Sequence, residues 1–172
     1  MEVTNIASPF KYIMLFALLV LAQVLVCNNI ILFGVAMPFV FIYFIISLPL
    51  NININLLMIL SFLLGFIVDL FSDTLGLNSL SCLILSVLKK PVFYLYIPKD
   101  DKFKAAVPSI ATMGWLNYLK YILTLSALFC VFIFGIEFMS VTSFIRILIM
   151  AASSTLFTLM LLLATDALFN RS

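Results

Sequence analysis

The chain has 172 residues, 66% of them hydrophobic and 9% charged, with a formal net charge of +2 and a mean hydropathy of +1.32. Soluble domains carry roughly 25% charged residues, so this composition excludes a water-covered globule and describes an all-α, polytopic integral membrane protein. Histidine is absent, which removes the commonest general base and metal ligand. Cys27, Cys82 and Cys130 sit singly in apolar runs, a pattern of small hydrophobes rather than of disulfides or zinc.

A helix crossing ~30 Å of hydrocarbon needs about 20 apolar residues. No formal charge falls between Lys11 and Asp69, a stretch long enough for nearly three spans. Its punctuation is Asn28-Asn29, Pro38, and Pro49 followed by Asn51, Asn53 and Asn55. The first helix is expected at residues 11–27, uncleaved, because no small-x-small pattern closes it. The second is expected at 37–50, short and therefore tilted or extended beyond Pro38, and the third at 55–71. A fourth at 76–90 should end at Lys89-Lys90-Pro91, since proline removes a helical hydrogen bond. Residues 91–98, proline-bounded and too short to cross, read as an interfacial or re-entrant piece. The fifth and sixth helices are expected at 111–135 and 143–167, making residues 1–172 a single transmembrane domain of six helices.

Six spans gather Lys11, Lys89, Lys90, Lys99, Lys102, Lys104 and Arg171 on one side, which the positive-inside rule makes cytoplasmic, with both termini. Tyr12, Tyr94, Tyr96, Trp115, Tyr118 and Tyr121 also fall near that side, as an aromatic belt, and Lys120 and Tyr121 read as snorkelling anchors. Arg146 is against the rule, in the first turn of the sixth helix on the outer side. A charge so placed needs a partner, and Glu137, Asp69 and Asp73 are the candidates.

The stretch Gly65 to Ser79 (G-F-I-V-D-L-F-S-D-T-L-G-L-N-S) concentrates the polar residues of an otherwise hydrocarbon sequence. Asp69 and Asp73 are spaced i, i+4 and share a face with Gly65 and Ser61. The stripe Ser61, Gly65, Asp69 is of the kind that lets transmembrane helices approach closely. In the last turn of a helix Asp69 meets the negative end of the dipole, at a cost of about 0.3–1 kcal/mol. It therefore needs hydrogen bonds, and the nearest donors are the N–H groups of the turn Ser72 to Ser79 and of the next helix's N-terminus. Gly76 would permit the tight turn, and Asp73, Asn78 or Ser79 would cap the next helix. Asp69→Asn is accordingly expected to be more damaging than Asp73→Asn.

An enzymatic reading finds little to work with. Intramembrane aspartyl proteases place their acids on two helices, with a G-x-G-D signature that this chain lacks, and Asp166 falls at the other side. D-x-x-x-D as a metal site for lipid phosphate chemistry lacks further acids and arginines. No nucleophile, base and electrophile assemble, so no catalytic, cofactor or metal site is expected, and no nucleic-acid partner.

The run G-F-I-V-D-L-F-S-D-T-L-G-L-N-S-L, with Ser47-Leu48-Pro49 and Pro38 upstream, resembles the signature of the rod shape-determining MreD family. In that signature a glycine-containing helix ends in Asp-Leu-x-Ser, and Leu-Gly-x-x-x-Leu follows. Asp73 stands where a glycine is common in the family. The resemblance implies a non-enzymatic scaffold of the bacterial cell-elongation and peptidoglycan-synthesis machinery in the inner membrane. It would work beside an MreC-type protein, the MreB filament, and the RodA glycosyltransferase with its class B penicillin-binding transpeptidase. It also implies a fold similar to the six-helix substrate-binding subunits of energy-coupling-factor transporters, so a vitamin-type transporter subunit is the alternative. Contact candidates are the outer corner, with Ser72, Asp73, Gly76 and Asn78, and the small-residue pairs Ala151/Thr155 and Ser154/Thr158 of the sixth helix, which core packing within the bundle explains at least as well. The basic loop 89–104 would meet anionic membrane lipid or cytoplasmic partners.

Overall fold

The computed structural model describes residues 9–25, 37–72, 74, 76–98, 107–137 and 144–169, and every regular element among them is helical. Helix α1 runs Pro9–Leu25. It opens on a proline, which suits the first helical position because its missing N–H would be unbonded there anyway. Leu15, Leu19 and Gln23, at i, i+4 and i+8, form its buried face.

The expected second helix over 37–50 is corrected. Only α2, Ile42–Ser47, is helical, and residues 37–39 and 48–53 around it are not. The stop has a local cause: Leu48 precedes Pro49, whose ring drives its neighbour out of the α region, and Leu48 sits at φ −66°, ψ 146°. Residues Phe39 through Ile46 are all buried.

Helix α3, Ile54–Ser72, buries Leu57, Ser61, Leu64, Gly65, Val68 and Asp69, one stripe at helical spacing. Its other side exposes Leu56, Ile59, Phe62, Leu63, Phe66 and Leu70, with the Phe62 and Phe66 rings stacked at 6.0 Å. Helix α4 spans Leu77–Tyr96 and passes through Pro91. The expected end at 90, and the separate piece at 91–98, are thus corrected: the helix stops at Ile97, ahead of Pro98. Membrane helices tolerate an internal proline where the freed backbone is re-satisfied or locally adjusted, and Pro91 faces outward rather than into the core.

The expected helix at 111–135 is divided. Helix α5 is a single turn, Ile110–Met113, capped by Ser109 and Thr112 reciprocally, and it ends at Gly114 with φ 76°. Helix α6 then runs Trp115–Glu137 and α7 runs Phe144–Phe169.

Four of these helices, α3, α4, α6 and α7, are long and apolar enough to cross a membrane. Helices α3 and α4 form a closely packed hairpin, α6 and α7 pack on each other, and α4 packs on α6. Helix α1 leans on α3 and α2, and α2 rests on α4. At the centre Phe39 meets Phe129 and Phe134 edge-on at 5.1 and 6.2 Å, and Phe41 meets Phe129 at 5.7 Å.

Candidate functional site

The α3–α4 corner is built around Gly65 and Asp69. A methyl carbon placed on Gly65 would fall 2.6 Å from the Asn78 carbonyl oxygen and the Ser79 nitrogen, so the two backbones touch where only glycine fits. One turn on, the Asp69 carboxylate is 4% exposed and closed by donors. Its Oδ1 accepts from Thr74 Oγ1 at 2.5 Å, from the Asn78 N–H at 3.0 Å and from Asn78 Nδ2 at 3.0 Å. Its Oδ2 accepts from the Ser79 N–H at 2.8 Å and Ser79 Oγ at 2.5 Å.

Asn78 and Ser79 are the second and third residues of α4. Asp69 is therefore the N-cap acceptor of α4, supplied from the end of α3. The expectation that Asn78 or Ser79 would do this is corrected: Gly76 holds the cap position at φ 77° without a side-chain bond, and both residues donate instead. The same charge that α3's dipole disfavours is favoured by α4's, an effect of about 0.3–1 kcal/mol at each end. The Thr74 hydroxyl was not foreseen, although a threonine in a tight turn beside an acid is a signal for it. Ser72 donates to the Val68 carbonyl at 2.8 Å, within its own helix. Ser61 is wholly buried with no partner for its hydroxyl, and serves as a small residue in the packed stripe. Asp73 and the side chains of Arg146 and Glu137 lie outside the described residues, and with them the expected pairing of Arg146.

A second buried carboxylate occupies the opposite end of the bundle. Asp166 on α7, 2% exposed, accepts from Tyr118 Oη of α6 at 2.7 Å and from Tyr43 Oη of α2 at 3.0 Å. Asp166 is indeed far from Asp69 in the fold, but it organises a centre of its own. A lone acid in an apolar helix was the signal available for it. Tyr118 and Tyr121, expected in an interfacial belt, are core residues: Tyr121 packs edge-on to Phe93 at 5.8 Å, with its hydroxyl unpartnered. Lys89, expected where the fourth helix gives way to a basic loop meeting lipid or cytoplasmic partners, is 1% exposed and donates to the Leu48 carbonyl. The amine thereby satisfies a carbonyl that the C-terminal end of α2 leaves without a helical partner. Lys90 reaches the Ile52 carbonyl at 3.4 Å.

Between the two ends, non-helical backbone lies at membrane depth. Ser154 and Thr158 are ten and fourteen residues into α7, about 15 and 21 Å along its axis. Ser154 Oγ accepts the Met37 N–H at 3.0 Å, and Thr158 Oγ1 accepts the Phe39 N–H at 3.1 Å. From α1, Gln23 Oε1 accepts the Val40 N–H and Gln23 Nε2 donates to the Pro38 carbonyl, both at 2.9 Å. Irregular backbone survives at this depth only where its polar groups are paired inside protein, which is what Gln23, Ser154 and Thr158 achieve. Of the two readings of these pairs, partner contact and packing within the bundle, the structure favours the second: Ser154 and Thr158 are internal acceptors, and Ala151 and Thr155 are buried too. Gln23 was passed over, although it is the one side-chain amide within the first apolar run.

Chemically, both carboxylates act as acceptors that fasten elements. No group of three or more metal-ligating side chains gathers among the described residues. No protein-family model, curated protein or solved structure matches the chain.

Proposed function

We propose that the protein is a non-enzymatic, multi-pass scaffold subunit of the bacterial cell-elongation machinery, of MreD type, seated in the inner membrane with both termini cytoplasmic. The observation that carries this reading is the α3–α4 corner. Its acid is closed by five donors within the chain, so its role is to hold a turn in one shape. That turn carries the letters on which the family resemblance rests. A fastened, half-buried turn at the end of a lipid-facing bundle suits recognition by a neighbour with a periplasmic or single-span segment, which is the role proposed for an MreC-type protein. The MreB filament, RodA and the class B transpeptidase are the further partners proposed.

The reading takes six passes, α1 and the stretch 37–53 being the other two beside the four long helices. Support for the orientation comes from Lys89 and Lys90 reaching the carbonyls of Leu48 and Ile52, which brings the connection before α3 and the basic end of α4 to one side.

The test is affinity purification of the tagged chain from its native membranes in mild detergent. An MreC-type protein should co-purify with the wild-type chain and be reduced in Asp69→Asn. Retention of a small vitamin with no such protein would replace the scaffold by the transporter-subunit reading.

A further inference from the structure

We propose that residues 107–116 form an apolar elbow seated in the lipid interface beside the start of α6, with phospholipid covering its outer face. The make-up of that face is the first reason. Val107, Ile110, Ala111, Gly114, Trp115 and Leu116 are exposed, Trp115 by 53% and Leu116 by 70%, and none carries a charge, a hydroxyl or a side-chain amide. No formal charge falls between Lys104 and Lys120. A connection lying in water is built instead from polar, turn-forming residues.

The two polar side chains of the segment, Ser109 and Thr112, are turned onto its own backbone. Ser109 Oγ accepts the Thr112 N–H at 3.3 Å, while Thr112 Oγ1 accepts the Ser109 N–H at 3.0 Å and donates to the Val107 carbonyl at 2.9 Å. The Met113 and Gly114 N–H groups donate to the Ser109 and Ile110 carbonyls at 3.0 and 2.9 Å, and the Tyr118 N–H donates to the Gly114 carbonyl at 3.0 Å. Backbone closed in this way tolerates a poorly hydrated medium. On its inner side the elbow is anchored by Pro108 and Met113, both buried, with Met113 in the main hydrophobic core. Gly114, at φ 76°, redirects the chain, and the candidate span Trp115–Ile136 begins at the next residue. The exposed face therefore sits where hydrocarbon gives way to headgroups, the level that tryptophan favours. Apolar faces lying there reach about 5–10 Å into the boundary. Because this face is uncharged, its contact is with the acyl and glycerol region and does not require anionic lipid. Its effect is to set the depth at which α6 enters the bilayer, and it stands independently of the assembly role.

Fluorescence quenching tests it on the full-length protein in phosphatidylcholine nanodiscs. Trp115 is the single tryptophan of the chain. A tryptophan at the start of a span meets lipid in any case, so the reporter is moved to Ile110→Trp or, in a parallel chain, Val107→Trp, each combined with Trp115→Phe. Both sites are exposed, so neither change enters the core. Phosphatidylcholine brominated on the upper part of its acyl chain should quench both reporters about as strongly as it quenches Trp115 in the unsubstituted chain. Aqueous iodide should quench them several-fold less than it quenches free N-acetyltryptophanamide. Iodide quenching close to that of the free fluorophore would overturn the proposal, because the elbow would lie in water. Quenching by neither agent would also overturn it, because protein rather than phospholipid would cover the face.

Discussion

Asp69 shows how one buried charge is made tolerable in a membrane bundle. The carboxylate gains two backbone N–H donors from α4, and hydroxyl and amide donors from Thr74, Asn78 and Ser79. Asp69→Asn would place an amide NH₂ against some of these donors and remove the charge facing α4's N-terminus. We expect a loss of about 2–3 kcal/mol in unfolding free energy in detergent. Ser79→Ala, which leaves the Ser79 N–H in place, should cost about 1 kcal/mol. Equal midpoints for wild type and Asp69→Asn would refute the capping role. Two tyrosines one turn apart on α6 give a sharper contrast. Tyr118 donates to Asp166 at 2.7 Å, so Tyr118→Phe should destabilise by about 1–2 kcal/mol. The Tyr121 hydroxyl is buried without a partner, so Tyr121→Phe should be neutral or stabilising when unfolding in detergent is measured in the same way. If both phenylalanines were equally harmful, ring packing and not hydrogen bonding would be deciding.

At the level of elements, the α3–α4 hairpin is governed by backbone contact. Gly65→Ala would drive its new methyl into the Asn78 carbonyl and Ser79 backbone at 2.6 Å, and should cost about 1–3 kcal/mol through separation of the helices. At Gly76 an added methyl meets nothing within 4 Å, but φ is +77°, so Gly76→Ala should cost about 1–2 kcal/mol through backbone strain alone. Only the Gly65 change should disturb the Asp69 bonds, which amide exchange at Asn78 and Ser79 would read. This hairpin was legible in advance, because Gly65 and Asp69 stand out in a run without charges and their i, i+4 spacing names the packed face. The element at 37–50 was not. Its apolar letters suit a lipid-facing helix and a protein-buried irregular segment equally, and the difference lies in Gln23, Ser154 and Thr158, far away in the chain. Pro91 misled for a related reason: a proline stops a helix in isolation, yet α4 continues past it to Tyr96.

For the whole molecule, the arrangement is a membrane bundle tied at both ends by buried carboxylates. Asp69 joins α3 to α4, and Asp166 joins α2, α6 and α7. Between them the central segment is held by α1 and α7. The long apolar helices and the polar corner could be read from composition and spacing. Of the Asp166 centre only the acid could be read, because nothing in the sequence pairs Tyr43 and Tyr118 with it until the helices are assembled around them. A molecule so fastened suits the proposed scaffold function, in which fixed surfaces meet neighbours, and that is the central claim. Under the proposed scaffold function, its most direct test is cell shape in the organism that carries the chain. Depletion should turn rods into spheres, and expression of the wild-type chain should restore rods. Asp69→Asn, produced at equal membrane abundance, should restore them poorly. Rods that persist through complete depletion would contradict the account.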